Sequence, residues 1–315
     1  GFWIMDDISP LQQLTPEVVK SDVYLFAPRP AYRFLYKAPH VADPRDQCRG
    51  ENPPYGASLN YYLKTDSKDE VKISILDEKG QKIRSLKGTK KQGINRIWWD
   101  LRYEPPTELK LRTSPVGHPH VVVGPKGWRP YSEGDEYRGP KVIPGTYVVK
   151  LTVGEKELTQ ELIVKKDPHS VGSVEDIKAQ VEVLLEIHDN MNTVAKMINN
   201  IEWIRKQIYD LQDILEGNKN AEQILNKSKE LDKKFIALED KFIPLEYTGR
   251  YDRDALRFAD LVYDKPLSLA SGIAQTDFAL TTQQKEAHEE LSSQLPSYVD
   301  EYNELISKDL NDFNK

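Results

Sequence analysis

The hydrophobic period of this chain changes once, near Asp167-Pro168, and that change limits the folds it can adopt. Before this point, short alternating runs such as Glu70–Asp77 and Gly145–Val153 predict half-buried strands separated by Gly and Pro turns. After it, apolar residues recur every seven positions and predict a long helix with a buried seam, at Ile187, Val194, Ile201, Ile208 and Leu215. The sequence therefore predicts a multidomain protein that is all-β at first and all-α afterwards.

Residues 46–168 are predicted to form an immunoglobulin- or fibronectin-like β-sandwich. The candidate strands are Ala57–Leu63, Glu70–Asp77, Lys82–Lys87, Ile94–Leu101, Gly145–Val153 and Leu158–Lys165. Residues 104–144 interrupt them with a long segment rich in Pro, Gly, Tyr and His, and so long a loop is typical of a functional or ordered insertion. Residues 1–45 alternate apolar runs with proline, which cannot donate to a central strand, and predict an extended connector.

Residues 172–315 are predicted to form an antiparallel bundle of three long helices and a short one. The predicted helices are Val174–Glu216, Ala221–Ile243, Leu267–Phe278 and Thr282–Asn311. Ser173 stands before the first of them with Glu175 and Asp176 behind it, which is the pattern of a capped helix start with an acidic first turn.

Composition and charge limit the partners and sites that the sequence predicts. The net charge of −6 divides into +5 over residues 1–170 and −11 over residues 171–315, with no continuous basic stripe, so nucleic acid is not predicted as a partner. No run reaches the ~20 apolar residues that span a bilayer, so no membrane span is predicted. The single cysteine, Cys48, excludes an intrachain disulfide framework and a CxxC metal site.

The motifs of common catalytic sites are missing. The sequence has no GxGxxG, GxxxxGK[ST], HExxH or GxSxG, so no catalytic residue and no cofactor is predicted. His118 and His120 could bring two imidazoles to one metal ion, with a third ligand available only from the acids that follow, Glu133, Asp135 and Glu136. The alternative interpretation is a surface loop with two solvated histidines.

Aromatic residues in the insertion are the candidate binding residues. Trp128, Tyr131 and Tyr137 lie close together among Gly and Pro. Flat aromatic rings on a loop can stack against sugar rings, so these three residues are candidates for binding a glycan. The alternative is that the rings form the core of the loop itself, because Trp and Tyr bury well with one polar end exposed.

Several segments of the chain carry a resemblance to a known family: Gly1–Leu14, Val23–Pro30, Gly50–Gly56, Gly93–Arg102, Gly139–Tyr147 and Val164–Pro168. They resemble the C-terminal region of bacterial sortilin-type, BNR-repeat β-propeller proteins, which are often described as glycosyl-hydrolase-like. The sandwich is also similar to the Ig-like domain of flagellar hook-capping proteins. The resemblance implies that residues 1–45 are the exit from a propeller absent from this chain, and that the protein is extracytoplasmic.

On this basis we expect a non-catalytic accessory or interaction module whose partners are its own N-terminal propeller and a polysaccharide or protein. The propeller of the parent protein would hold any hydrolase activity. An alternative is a carbohydrate-active hydrolase with its site between sandwich and bundle, and a third possibility is a bundle that oligomerises through its first helix.

Overall fold

The computed structural model describes residues 7–35, 53–131, 138–248 and 257–315, and it contains both sheets and helices, so the fold is mixed α/β. The chain divides into two compact units. Unit 1 comprises residues 1–105, 139–181 and 275–279, and unit 2 comprises residues 106–138, 182–274 and 280–315. Residues 106–138, which lie within the predicted insertion of the sandwich, therefore group with the helices.

Ten strands lie within the described residues. They are β1 (Val23–Leu25), β2 (Ala31–Arg33), β3 (Ala57–Leu63), β4 (Val71–Leu76), β5 (Lys82–Lys87), β6 (Gly93–Trp99), β7 (Lys110–Leu111), β8 (Arg129–Pro130), β9 (Gly145–Val153) and β10 (Lys156–Lys166). In unit 1 they form a three-stranded sheet in the order β1-β3-β6 and a five-stranded sheet in the order β2-β10-β9-β4-β5. Strands β7 and β8 pair with each other in unit 2.

The two sheets of unit 1 share one hydrophobic core. Alternate residues of β9 are buried, as the period of a half-buried strand requires, and the β6 residue Trp99 is fully buried. Trp99 meets Tyr147 of β9 edge to face, with ring centroids 5.5 Å apart, so side chains from both sheets are in contact.

The first described residues supply one edge strand to each of the two sheets. They contain two short helices, α1 (Ser9–Gln12) and α2 (Pro16–Lys20), and the strands β1 and β2. β1 pairs antiparallel with β3, while β2 pairs parallel with β10. Both are edge strands, as expected for a proline-rich segment with missing amide donors. The opening residues Phe2–Met5 lie outside the described residues.

A short segment from late in the sequence, residues 275–279, returns to unit 1. Its Asp277 is 4% exposed and forms an ion pair with Arg33 of β2. Ser170 donates its hydroxyl to the same carboxylate at 2.9 Å. A Cβ atom on Gly172 would lie 1.7 Å from the carbonyl oxygen of Asp277, so the close approach requires glycine.

The later helices are α3 (Val174–Leu215), α4 (Glu222–Glu239), α5 (Asp264–Ile273) and α6 (Thr282–Glu304). Ser173 caps α3, with its hydroxyl oxygen accepting from Asp176 N at 3.0 Å. Helix α6 passes at its end into a π-helical turn, Leu305–Leu310, and a final turn, Asn311–Phe313. No helix in the described ranges is long and apolar enough to cross a membrane, in line with the sequence prediction.

Polar contacts fix the directions of the helices in unit 2. Between α3 and α4, Gln212 contacts Ser228 and Arg205 contacts Asp232, so these helices run in opposite directions. Between α3 and α6, Glu186 meets His288 and Asn200 meets Tyr302, and these helices run in the same direction. The apolar seams of the helices meet in one core that also holds Leu109, Leu111 and Tyr131.

Candidate functional site

The segment that contains the predicted aromatic site is anchored on α3 by side chains. The carboxamide oxygen of Asn192 accepts from Thr107 N at 2.7 Å, and that of Asn199 accepts from Lys110 N at 2.7 Å. Because the two asparagines are seven residues apart, they lie on one face of the helix. They pair the backbone groups of an irregular segment that would otherwise be left without partners.

A buried charge cluster continues this anchor. Glu202 of α3 accepts from Thr113 N and from the Thr113 hydroxyl, each at 2.8 Å. Arg205, which is 2% exposed, donates to the carboxylates of Glu202, Asp232 and Glu239 at 3.3, 3.1 and 2.7 Å. One guanidinium thus joins α3 and α4, and Glu202 extends the network to the loop.

Glu239 is the most perturbed acid of this cluster. It is fully buried, and burial, followed by the charge of the neighbouring Glu202, raises its pKa well above the usual range against the opposing effect of Arg205. A hydrogen bond with Glu202 raises the pKa further. The oxygen Oε1 of Glu239 is buried without a hydrogen-bond partner among the described residues, and such an orphaned oxygen is costly to keep charged.

Glu202 and Glu239 have the chemistry of an acid–base pair, but a substrate could not reach them. Glu202 and Glu239 are 2% and 0% exposed, and the loop residue Thr113 bonds directly to Glu202. An acid–base pair must reach its substrate within hydrogen-bond distance. The pair is therefore a structural anchor, and its buried charges make it sensitive to the loss of any member.

The three predicted aromatic residues have different surroundings. Tyr131 is only 4% exposed, stacks on Tyr247 at 5.2 Å and donates its hydroxyl to Asp264 at 2.8 Å. Burial and the nearby Asp264 carboxylate raise its pKa. The structure therefore favours, for Tyr131, the alternative interpretation of a core ring. Tyr137 lies outside the described residues.

Trp128 is half-buried and carries two cations. The ammonium groups of Lys110 and Lys126 lie 5.3 and 5.4 Å from the centre of its ring. Both distances are within the range of a cation–π interaction. Trp128 is thus less buried than Tyr131.

Sequence reasoning missed a second tryptophan. Trp203 of α3 is 52% exposed, and the guanidinium of Arg112 lies 4.5 Å from its ring centre. Lys110 and Arg112 stand on either side of the buried Leu111, so their side chains leave the chain on the same face. We call these five residues the tryptophan patch: Trp128, Trp203, Lys110, Arg112 and Lys126. Trp203 could have been recognised because it falls outside the apolar seams of α3.

The predicted histidine pair is close in space. The ring centroids of His118 and His120 are 5.7 Å apart. Within the described parts of the chain, no group of three or more His, Cys, Asp or Glu side chains could hold a metal ion. The acids Glu133, Asp135 and Glu136, which the sequence offered as further ligands, lie outside the described residues.

Comparison with known proteins identifies no family for this chain. No protein-family model and no curated protein matches the chain. Among solved structures, a protein described as "pT26-6p" is similar at 11% identity, over 78% of this chain and 46% of that chain, with a TM-score of 0.17. This chain thus spans less than half of that protein's length, and a similarity at this level carries no argument.

Proposed function

We propose that this chain is an accessory interaction module that binds an acidic polysaccharide through the tryptophan patch. The observation that carries the proposal is the presence of two partly exposed indole rings with three cations along one face of the segment around β7. Flat rings offer stacking surfaces for sugar rings, while Lys and Arg attract carboxylate or sulfate groups.

The charge balance of the patch favours an acidic over a neutral glycan. Glu108 lies 3.8 Å from Lys110 and offsets one of the three cations, which leaves a local positive excess. The three cations belong to residues 1–170, and Trp203 is the one member of the patch that belongs to the acidic region 171–315. Each stacked ring contributes about 1 kcal/mol. Two rings and a few screened charges would then give a dissociation constant on the order of millimolar.

The proposed domain types and parent protein follow from the resemblance of the sequence. In this proposal, unit 1 is an Ig-like β-sandwich, supported by two sheets with one shared core. Unit 2 is an antiparallel helical bundle, supported by the opposed directions of α3 and α4. The chain would be the C-terminal part of a larger extracytoplasmic propeller protein and would hold a glycan for the propeller.

The alternative function, a carbohydrate-active hydrolase, rests on paired carboxyl groups. The pair Glu202 and Glu239 is buried and bridged by Arg205, so it supports anchoring better than catalysis. Release of reducing sugar from polygalacturonate by the purified chain would favour the hydrolase.

The binding proposal is tested by affinity electrophoresis in gels that contain polygalacturonate or neutral dextran. We expect the wild-type chain to be slowed by polygalacturonate and not by dextran. Trp128→Ala and Trp203→Ala should each remove most of this retardation, because each deletes one of the two stacking surfaces, while the melting temperature stays nearly unchanged.

A matched control is Tyr32→Ala in unit 1, which removes another exposed ring with a cation, Lys165, 5.8 Å from its centre. This variant should be slowed as much as the wild type. Equal retardation of all variants would refute the patch as the binding site. A large fall in melting temperature for Trp128→Ala would show that Trp128 is a core residue.

A further inference from the structure

A second polar constellation lies in unit 2, between α3 and α6. Ser292 Oγ is 3.3 Å from His288 Nδ1, and His288 Nε2 is 2.8 Å from the Glu186 carboxylate. Asn190 Nδ2 donates to Ser292 Oγ at 3.2 Å. His288 is 8% exposed, whereas the Glu186 side chain is 67% exposed.

The hydrogen bonds of this chain of groups have a defined direction. The carboxylate of Glu186 can only accept, so a neutral His288 imidazole carries its proton on Nε2. Nδ1 is then a lone-pair acceptor, and the Ser292 hydroxyl must donate to it. The same order of hydroxyl, imidazole and carboxylate activates the nucleophile in serine hydrolases, where the groups are recognised by geometry and role.

Ser292 lines a mainly apolar groove that is open to solvent. The enclosed part has a volume of about 20 Å³, enough for about one water molecule, so a larger ligand would lie partly in the open part of the groove. Its walls are mainly apolar and come from α3, α5 and α6. The apolar wall residues include Ile187, Met191, Val194, Leu269, Leu291 and Leu295. Asn190, His288 and Ser292 are the polar lining residues, so a ligand with an apolar part and one polar group would meet matching partners along this groove.

We propose that Ser292 is a nucleophile, activated by His288 and oriented through Glu186, that reacts with small apolar acyl esters. Ser292 Oγ attacks the ester carbonyl carbon while its proton passes to His288 Nδ1. The alcohol leaves with that proton, and an acyl-serine remains. Water then attacks the acyl group, giving its proton to His288, and the carboxylic acid is released with the hydroxyl of Ser292 restored. Asn190 Nδ2, which lies 3.2 Å from Ser292 Oγ, would be the amide donor to the carbonyl oxygen in this reaction.

The test uses the whole chain with two readouts, labelling by an alkyl fluorophosphonate located by mass spectrometry and hydrolysis of p-nitrophenyl butyrate. We expect the label on Ser292 and a measurable hydrolysis rate. Ser292→Ala should remove the label, and His288→Gln should slow both reactions by about a hundredfold, the lower end of what a general base contributes.

Ser293 provides the matched control. It is exposed on the same helix and donates its hydroxyl to the Glu290 carbonyl at 2.8 Å, so Ser293→Ala should leave labelling and hydrolysis unchanged. Glu186→Gln should slow labelling less than His288→Gln, because it disturbs only the orientation of the imidazole. Absence of label on Ser292 in the wild type, or equal hydrolysis by Ser292→Ala, would overturn the proposal.

Discussion

The raised pKa of Glu239 makes the stability of the protein depend on pH. Its pKa is raised above the usual 4.5 in the folded state, so the folded chain holds a proton that the unfolded chain releases. The contribution of this group is full below about pH 4.5 and is lost as pH rises through the folded pKa. We expect the free energy of unfolding of wild type, measured by urea titration, to fall across this interval relative to that of Glu239→Gln, which cannot titrate.

Glutamine also preserves the shape and the neutral charge of the protonated acid. Glu239→Gln should therefore cost about 1 kcal/mol or less near pH 5, whereas Glu239→Ala should cost about 3 kcal/mol because Arg205 loses a buried partner. Glu202→Gln is the comparison, since both side-chain oxygens of Glu202 accept hydrogen bonds from Thr113 and the amide nitrogen of glutamine cannot accept one. An equal loss of stability in Glu239→Gln and Glu239→Ala would contradict a neutral Glu239.

At the scale of elements, the sequence predicts strands better than helix ends. Strands β3, β5 and β9 have the predicted ranges, because alternation is a local property of the chain. The last helix was predicted to run from Thr282 to Asn311, yet its backbone changes to a π-helical turn at Leu305. The apolar stripe continues through the turn, so its period gives no sign of the change.

The candidate sites show that a local sequence pattern does not predict which side chains become buried. Tyr131 and Trp128 are three residues apart and look alike in sequence, but one is a core ring and the other reaches the surface. Their difference comes from partners far along the chain, such as Tyr247 beside Tyr131. Likewise, Ser292 and His288 are four residues apart on one helix, and Glu186 joins them only through folding.

The docking of residues 275–279 on unit 1 can be tested at Gly172. An alanine Cβ there would overlap the backbone of Asp277, which is not the end of a flexible side chain. We expect Gly172→Ala to displace the segment and to lower the free energy of unfolding by about 2 kcal/mol or more, as steric strain in a packed region does. Gly272→Ala in α5 is the control, since a Cβ there meets nothing within 4 Å and alanine favours helix. Equal stability of Gly172→Ala and wild type would show that the segment is not held so closely.

At the scale of the whole molecule, the two units share one chain in an unusual way. The backbone passes from one unit to the other five times, at residues 105–106, 138–139, 181–182, 274–275 and 279–280. A fragment of residues 1–181 would retain 106–138 without the helical partners of Leu109 and Leu111 and would lack Asp277, the partner of Arg33. We expect it to bind the dye ANS strongly and to aggregate.

The same fragment with residues 106–138 replaced by a Gly-Ser linker should bind less dye, because the orphaned apolar side chains are removed. If both fragments were as soluble as the full chain and bound no dye, residues 106–138 would not depend on the helices for burial.

This interleaving also has a consequence for the history of the gene. A single recombination event exchanges one contiguous stretch of coding sequence, and no such stretch corresponds to either unit. Moving one unit to another protein would require several breakpoints at once, each placed without damage to the partner unit. The sheets and the helices are therefore expected to descend together, so that related genes carry both or neither.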